Sequence, residues 1–201
     1  KKYAENISQL ALANVDFDMQ NRHHISYNLM MIHANTQSVG DYNGKNSIFS
    51  DDYENLGFTR RQQTNDNMLI VNQLMTNWGL TKSLSLDAGA SYNMVKGYEP
   101  DRRINNLTKA EDGYTLLRGN SQQRYFSTLD EDDLNVKAGL VYRLKDNIDE
   151  ISNIRFGYTG RFVDDNFKAT EYNLTVGHVS TIPSLDDFSL DDYYNQENFA
   201  S

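Results

Sequence analysis

Arginine and tyrosine side chains are concentrated in one polar stretch of the chain, where together they could hold a polar or anionic ligand. A guanidinium group offers a planar fork of hydrogen-bond donors that matches carboxylate and phosphate groups. A tyrosine ring adds a flat apolar surface with a polar tip. We therefore predict a ligand-binding set in this stretch; the simpler alternative is that these residues brace a loop by pairing with acidic neighbours. The set comprises Tyr98, Arg102, Arg103, Tyr114, Arg118, Arg124 and Tyr125.

Histidine and carboxylate side chains elsewhere could in principle bind a metal ion or catalyse glycoside hydrolysis, but their spacing suits neither. His23 and His33 would lie about 33 Å apart along a strand and could not share a metal ion. Asp16 and Asp18, about 7 Å apart on one strand face, have a spacing between those of the two glycosidase classes. The acidic run Asp130–Asp133 could attract calcium but lacks the glycine of an EF-hand loop. The simpler interpretation is that these side chains lie on solvated strand faces and rims. We therefore predict no metal site and no cofactor.

Composition and motifs argue against an enzyme and against a nucleic-acid partner. The 201 residues contain no cysteine, so disulfides and thiolate chemistry are impossible. The net charge of -9 would repel nucleic-acid phosphates. The nucleophile-elbow, P-loop, dinucleotide-binding and zinc-protease motifs are all missing from the sequence.

The elements that would position these side chains are long β-strands. Apolar and polar residues alternate from Leu84 to Met94, and this period of two is typical of a half-buried strand. The alternation returns at Val136–Leu144 and Ile154–Phe162. It is weaker around Met30 and Ile32, which fall on the polar side of their strand.

The connections between these strands alternate between short and long. We expect short turns near Asn21, Lys82 and Asn147, and long polar loops over residues 39–62 and 99–132. Asn67–Leu80 also fits a helical face, but its neighbours and the short turn after it favour a strand. The sequence therefore predicts an all-β, antiparallel up-and-down meander of six long strands in three hairpins.

Two architectures are compatible with this alternation. In a soluble sandwich the apolar face packs into a core, whereas in a membrane barrel it meets lipid and the polar face lines the lumen. The runs of about 11–15 residues exceed the usual globular strand of about 5–6 and suit a tilted membrane strand of about 9–11. Aromatic residues lie towards strand ends, where a membrane girdle would be. They are Phe17, Trp78, Tyr98, Tyr142 and Phe162.

Two sets of side chains follow from the barrel interpretation. We expect the outward, lipid-facing set to be Leu86, Ala88, Ala90, Tyr92, Leu140, Tyr142, Phe156 and Tyr158. We expect the inward set to be Asp87, Ser91, Asn93, Lys137, Arg143, Arg155 and Arg161.

Four stretches of the chain resemble one known family. The residue sequence and strand spacing of Phe58–Arg103 resemble the barrel of TonB-dependent outer-membrane receptors of the Bacteroides type. Asp112–Leu144 and Ile154–Leu174 look like the next strands of such a barrel, and Asn14–Ser38 looks like the preceding hairpin. The resemblance covers nearly the whole chain.

This resemblance implies a bacterial outer-membrane protein that actively imports a scarce nutrient. The family's barrel has about 22 strands and is closed by an N-terminal plug. Its partners would be the rest of the same barrel and the plug, the TonB complex, outer-membrane lipid and in some cases a surface lipoprotein. Neither the plug nor the TonB box is found in residues 1–201. We therefore expect residues 1–201 to form a single partial segment of a large transmembrane barrel.

Two further hypotheses remain open. One is a soluble extracellular β-sandwich that binds carbohydrate on its tyrosine and tryptophan rings. The other is a small structural barrel of about eight strands with no transport role.

Overall fold

The computed structural model describes residues 1–19, 22–45, 56–117, 122–147, 150–175, 181–182 and 185. Every regular element within them is a β-strand. The strands are β1 (Lys2–Met19), β2 (His23–Lys45), β3 (Leu56–Gly79), β4 (Leu84–Ala110), β5 (Gly113–Leu116), β6 (Gln122–Asn147), β7 (Glu150–Leu174) and β8 (Thr181–Ile182). Among the described residues there is no helix that is long and apolar enough to cross a membrane.

The six long strands form one antiparallel meander. They neighbour each other in the order β1-β2-β3-β4-β6-β7, and each pairs antiparallel with the next. The short β5 continues beside β4 beyond the end of β6, and β8 pairs with β5. Within the described residues the sheet is open, with β1 and β7 at its edges. The predicted all-β, up-and-down arrangement is confirmed.

The ambiguous segment Asn67–Leu80 is extended through Gly79. It belongs to β3, which pairs with β2 on one side and β4 on the other. A helix would satisfy its backbone groups internally, whereas two flanking ladders satisfy them here between strands. Tertiary pairing therefore decides a pattern that was locally ambiguous.

The predicted loops are wrong in extent, because much of 39–62 and 99–132 is strand. Pairing continues to Lys45 in β2 and resumes at Leu56 in β3; β4 runs on to Ala110 and β6 begins at Gln122. A β-ladder joins backbone groups, so polar side chains do not interrupt it. Where both faces carry polar side chains, the sequence loses only the apolar–polar alternation from which a strand is predicted.

The short turn near Lys82 lies where it is expected. At the turn near Lys82, the backbone N–H groups of Leu80 and Thr81 both donate to the Leu84 carbonyl. The turns near Asn21 and after Asn147 involve residues 20–21 and 148–149, which lie outside the described residues, as do residues 46–55.

Strand register aligns the alternating residues into two continuous faces. The apolar face is defined by rows such as Trp78, Leu86, Leu140 and Phe156, which are successive cross-strand partners. The predicted outward set shares this face, and the predicted inward set lies on the opposite, polar face. Large side chains on the apolar face are exposed, up to 79% for Phe156.

An apolar patch interrupts the polar face and accounts for the weak alternation in β2. Met30 and Ile32 pair with Leu12 and Leu10 on one side and with Val71 and Leu69 on the other. Adjacent strands therefore place apolar side chains at the same level. The patch consists of Leu10, Leu12, Met30, Ile32, Leu69, Val71 and Val95.

A small buried core forms at the end of the sheet away from the short turns. Phe58, Leu107, Leu116 and Ile182 are at most 4% exposed. They come from β3, β4, β5 and β8, so the short strands fold against the ends of the long ones. This core is what gives the long-loop end of the sheet a defined structure.

Candidate functional site

A β-bulge in β4 determines where the predicted ligand-binding residues lie. Between the pairs Gln62–Arg103 and Asp66–Tyr98, β4 advances one residue more than β3. The β4–β6 ladder has the same irregularity, between Glu99 and Arg102. An extra residue in one strand reverses the side-chain alternation beyond it. Arg102 therefore shares the polar face with Tyr125, and Arg103 lies on the opposite face with Arg124, which is the reverse of what uninterrupted alternation from Leu84 would give.

Arg102 lies on the polar face with Tyr125. The two are cross-strand partners, and the Arg102 guanidinium carbon is 4.1 Å from the centre of the Tyr125 ring. Arg102 Nη1 also lies 3.8 Å from Glu99 Oε1. A cation over an aromatic ring at a partly exposed site contributes about 0.5–2 kcal/mol. The pair offers one guanidinium edge and one aromatic surface, which are the two features predicted for the ligand set.

Arg103 and Arg124 lie on the other face and share one carboxylate. Arg124 donates to Asp101 through Nε at 3.0 Å and Nη2 at 2.7 Å, and Arg103 Nε donates to the same group. The Asp101 side chain is only 19% exposed. Partial burial opposes its ionisation, but the hydrogen bonds from Arg124 and Arg103 outweigh this and lower the pKa of Asp101. The cluster is mainly a brace between β4 and β6.

Asp101→Asn should therefore destabilise the protein by about 1–2 kcal/mol, since a charged hydrogen-bonding group is lost from a partly solvated site. A carboxyl with a lowered folded-state pKa stabilises the protein above its unfolded pKa of about 3.9 and loses that contribution as the pH falls through the folded value. The difference between wild type and variant in urea unfolding should accordingly be full at pH 7 and shrink below about pH 4. Asp112→Asn, in the exposed turn after β4, is the matched control. A gap of the same size at pH 3 and pH 7 would contradict this account.

The remaining predicted residues are dispersed. Tyr98 is 52% exposed on the apolar-face side of β4. Tyr114 lies in β5, where its ring centre is 6.2 Å from that of Phe58, beside the buried core. Arg118 lies outside the described residues. The structure therefore brings together two pairs, Arg102 with Tyr125 and Arg103 with Arg124, and separates them by the thickness of the sheet.

Three functional side chains were missed in the sequence. Asp101 and Glu99 hold the arginines. Their signal was a carboxylate two residues before Arg103 and three before Arg102, whereas the pairing of Asp101 with Arg124, 23 residues away, has no local signal. Gln122 is fully buried, and its amide exchanges two hydrogen bonds with the backbone of Asn106, at 3.1 and 2.6 Å. It bridges the gap between the β4–β6 and β4–β5 ladders. Nothing local in the sequence marks this role.

The acidic run Asp130–Asp133 is part of β6, so its members alternate between the two faces. Asp133 accepts two hydrogen bonds from Arg161, both at 3.1 Å, while Asp130 lies 3.8 Å from Lys96 Nζ. Asp132 accepts a hydrogen bond from the Tyr92 hydroxyl at 2.7 Å. The prediction of a loop rim is thus wrong for this run, which is a strand: Asp133 and Glu131 share Arg161, while Asp130 and Asp132 have partners on the opposite face.

The other carboxylate and histidine candidates pair with each other near the short turns. His24 Nδ1 lies 2.7 Å from Asp18 and its Nε2 lies 3.5 Å from Asp16. His23 instead stacks on Trp78, with ring centres 4.4 Å apart. In the part of the chain that the structure describes, no group of three potential ligands is arranged to hold a metal ion.

Comparison with models of known protein families gave no match, and comparison with characterised proteins gave none either.

Proposed function

We propose that the chain is a segment of the wall of a TonB-dependent outer-membrane receptor that imports a nutrient. The observation that supports it most is the shape of the apolar face. An exposed apolar band crosses all six long strands without interruption, from Phe17 in β1 to Phe162 in β7. An exposed apolar surface of this extent indicates contact with another apolar phase.

The band also shifts along the strands from one side of the sheet to the other. Ala11 in β1, Met31 in β2, Ile70 in β3 and Met94 in β4 are successive cross-strand partners, and the row continues to Asp132 in β6 and Asp164 in β7. This level is therefore apolar in the first four strands and polar in the last two. Towards the short turns, the partners Leu84, Tyr142 and Ile154 keep the band apolar. Strands of membrane barrels are tilted by about 35–45°, so a flat membrane meets each successive strand at a shifted position. The drift supports a tilted sheet in a bilayer.

Strand length supports the same assignment. Strands β2 to β4 and β6 to β7 contain 23 to 27 residues, whereas crossing a membrane requires about 9–11. Beyond the band the sheet carries ion pairs such as Arg60–Asp41, at 2.8 Å, and the small buried core. We assign this half to the outside of the membrane, and the short turns to the periplasmic rim.

The partners follow from the open sheet and from the patch on the polar face. Both edge strands need further strands of the same barrel, because a membrane leaves no solvent to satisfy an exposed edge. The apolar patch around Met30, Ile32 and Val71 would be unfavourable in a water-filled lumen, which favours a plug packed inside the barrel. The TonB complex, outer-membrane lipid and a surface lipoprotein complete the partners that the family resemblance implies. A soluble carbohydrate-binding sandwich would need a second sheet, and the described residues form one.

The proposal predicts that neighbouring residues of β7 differ in contact with lipid. Residues 1–201 contain no cysteine. With any cysteine elsewhere in the full-length protein replaced, Tyr158→Cys and Thr159→Cys each carry one fluorescent label, and the protein should fractionate with the outer membrane. Tyr158 is 65% exposed on the apolar face and Thr159 lies on the polar face. A lipid-soluble quencher should quench the label at 158 several-fold more than the label at 159. Equal quenching, or a soluble full-length protein, would contradict the proposal.

Ligand capture should depend on the pair that faces the lumen. Tyr125→Ala removes the aromatic surface beneath Arg102 and should raise the nutrient concentration for half-maximal growth by about tenfold, the equivalent of about 1.4 kcal/mol. Arg124→Gln, on the opposite face, is the matched control and should leave it within about twofold. Growth of a deletion strain carrying each variant, on a panel of limiting nutrients at equal barrel abundance, is the measurement. A larger effect of Arg124→Gln would remove Tyr125 from the binding site.

A further inference from the structure

A groove with two unneutralised cations crosses the polar face near the short turns. It has a volume of about 570 Å³ and is lined by residues of β2, β3, β4, β6 and β7. Lys137 and Arg155 lie at its two ends. A second hollow of about 460 Å³ shares Lys137 and Thr159 with it and continues towards Arg161.

The floor of the groove is bare backbone. Gly139 and Gly157 are cross-strand partners at the level between Lys137 and Arg155. From Lys137 to Val141, the partner of Arg155, β6 advances four residues, which is about 13 Å. A paired glycine floor of this kind lets a ligand approach the backbone closely. The opening is therefore long enough for a small molecule that spans both cations.

Lys137 is held across a third glycine. A Cβ atom at Gly89 would come within 2.8 Å of Lys137 Cε, so the lysine stem lies over the backbone of β4. This places the ammonium group above the sheet between the two hollows. Lys137 can take this position because its cross-strand partner, Gly89, has no side chain.

The charges of the groove are not balanced from within the described part of the chain. Arg161 is neutralised by Asp133 and Glu131. Asp87 in the wall accepts a hydrogen bond from the neutral Asn77 amide and keeps its negative charge, so the two cations outnumber it by one. His24 lies between Asp16 and Asp18. Lys137 and Arg155 have no carboxylate partner among the described residues. A site with two such cations, a glycine floor and a few polar neighbours suits an oxyanion.

We propose that this groove binds a small oxyanion, a carboxylate or a phosphate, between Lys137 and Arg155. The site is distinct from the Arg102–Tyr125 pair, which lies beyond the bulge, and it does not depend on the location of the chain in a membrane. The alternative to be tested is general attraction of anions by surface charge.

Calorimetric titration of the full-length protein in detergent, at fixed ionic strength, tests this with sodium phosphate and sodium acetate as separate probes. We expect saturable binding of at least one probe, and the tighter one identifies the chemical class. Lys137→Gln combined with Arg155→Gln should weaken it by at least tenfold. Lys168→Gln, on the opposite face of β7, should change it by less than about twofold. No binding at millimolar probe, or equal losses in both variants, would overturn the proposal.

A second pair of variants separates a built groove from net charge. Gly139→Leu keeps every charge and fills the floor; its Cβ would meet only ordinary contacts, the nearest 3.6 Å from the Phe156 carbonyl oxygen. The control is Gly44→Leu, where an added Cβ meets nothing within 4 Å. Weaker binding in the first variant and unchanged binding in the second, with both folded by circular dichroism, supports the site. Unchanged binding in Gly139→Leu would overturn it.

Discussion

Leu74→Lys is expected to lower the free energy of unfolding by about 2–4 kcal/mol in the full-length protein reconstituted in lipid. Leu74 lies midway along the apolar band, between its partners Tyr27 in β2 and Ala90 in β4, and is 49% exposed. If the band faces hydrocarbon, the ammonium group at this depth loses its hydration without gaining a partner. The same change at Leu140 should cost about as much, because the band is shifted towards the short turns in β6, where its exposed apolar residues run from Leu134 to Leu144.

The adjacent residue provides the control. Gln73 lies on the polar face of the same strand, and Gln73→Lys should cost less than about 1 kcal/mol because a lumen-facing charge remains hydrated. Urea unfolding in lipid vesicles, followed by tryptophan fluorescence, measures both. Costs that are equal at residues 73 and 74 would count against a membrane-facing band, and with it against the proposed receptor.

Gln122→Ala is expected to destabilise the long-loop end of the sheet by about 2–4 kcal/mol. The side chain is fully buried, and its amide makes two hydrogen bonds to the backbone of Asn106. The change removes both bonds from a buried site and leaves a cavity beside Leu107 and Leu116. Urea unfolding gives the total cost, and faster hydrogen exchange at the Asn106 amide would locate it.

Two substitutions define the cause of that loss. Gln123→Ala, at the neighbouring half-buried position in β6, should cost less than about 0.5 kcal/mol. Gln122→Glu preserves the size of the side chain but removes the donor to the Asn106 carbonyl, so it should retain much of the destabilisation. If Gln122→Glu were as stable as wild type, the bridging hydrogen bonds would not be the source of the effect.

The sequence alone determined the class of fold, because the signal for a strand is local. Apolar residues at every second position, as from Leu84 to Met94, put one face of the chain in an apolar environment whatever its partner is. The turn near Lys82 was found for the same reason, since it joins two such runs. The two sets of side chains on opposite faces could therefore be predicted residue by residue.

Only the tertiary structure decided where polar segments become strands and which side chains meet. The ladders of residues 39–45 and 99–110 depend on backbone groups of strands distant in sequence, and no periodicity of their own marks them. The bulge in β4 likewise exists only relative to β3 and β6. Adjacent strand residues such as Arg102 and Arg103 lie on opposite faces in any case, but the bulge reverses which of the two lies on the polar face. The candidate site could thus be predicted as a set of residue types but not as an arrangement, because its geometry is fixed by strand register, and register is a property of paired strands.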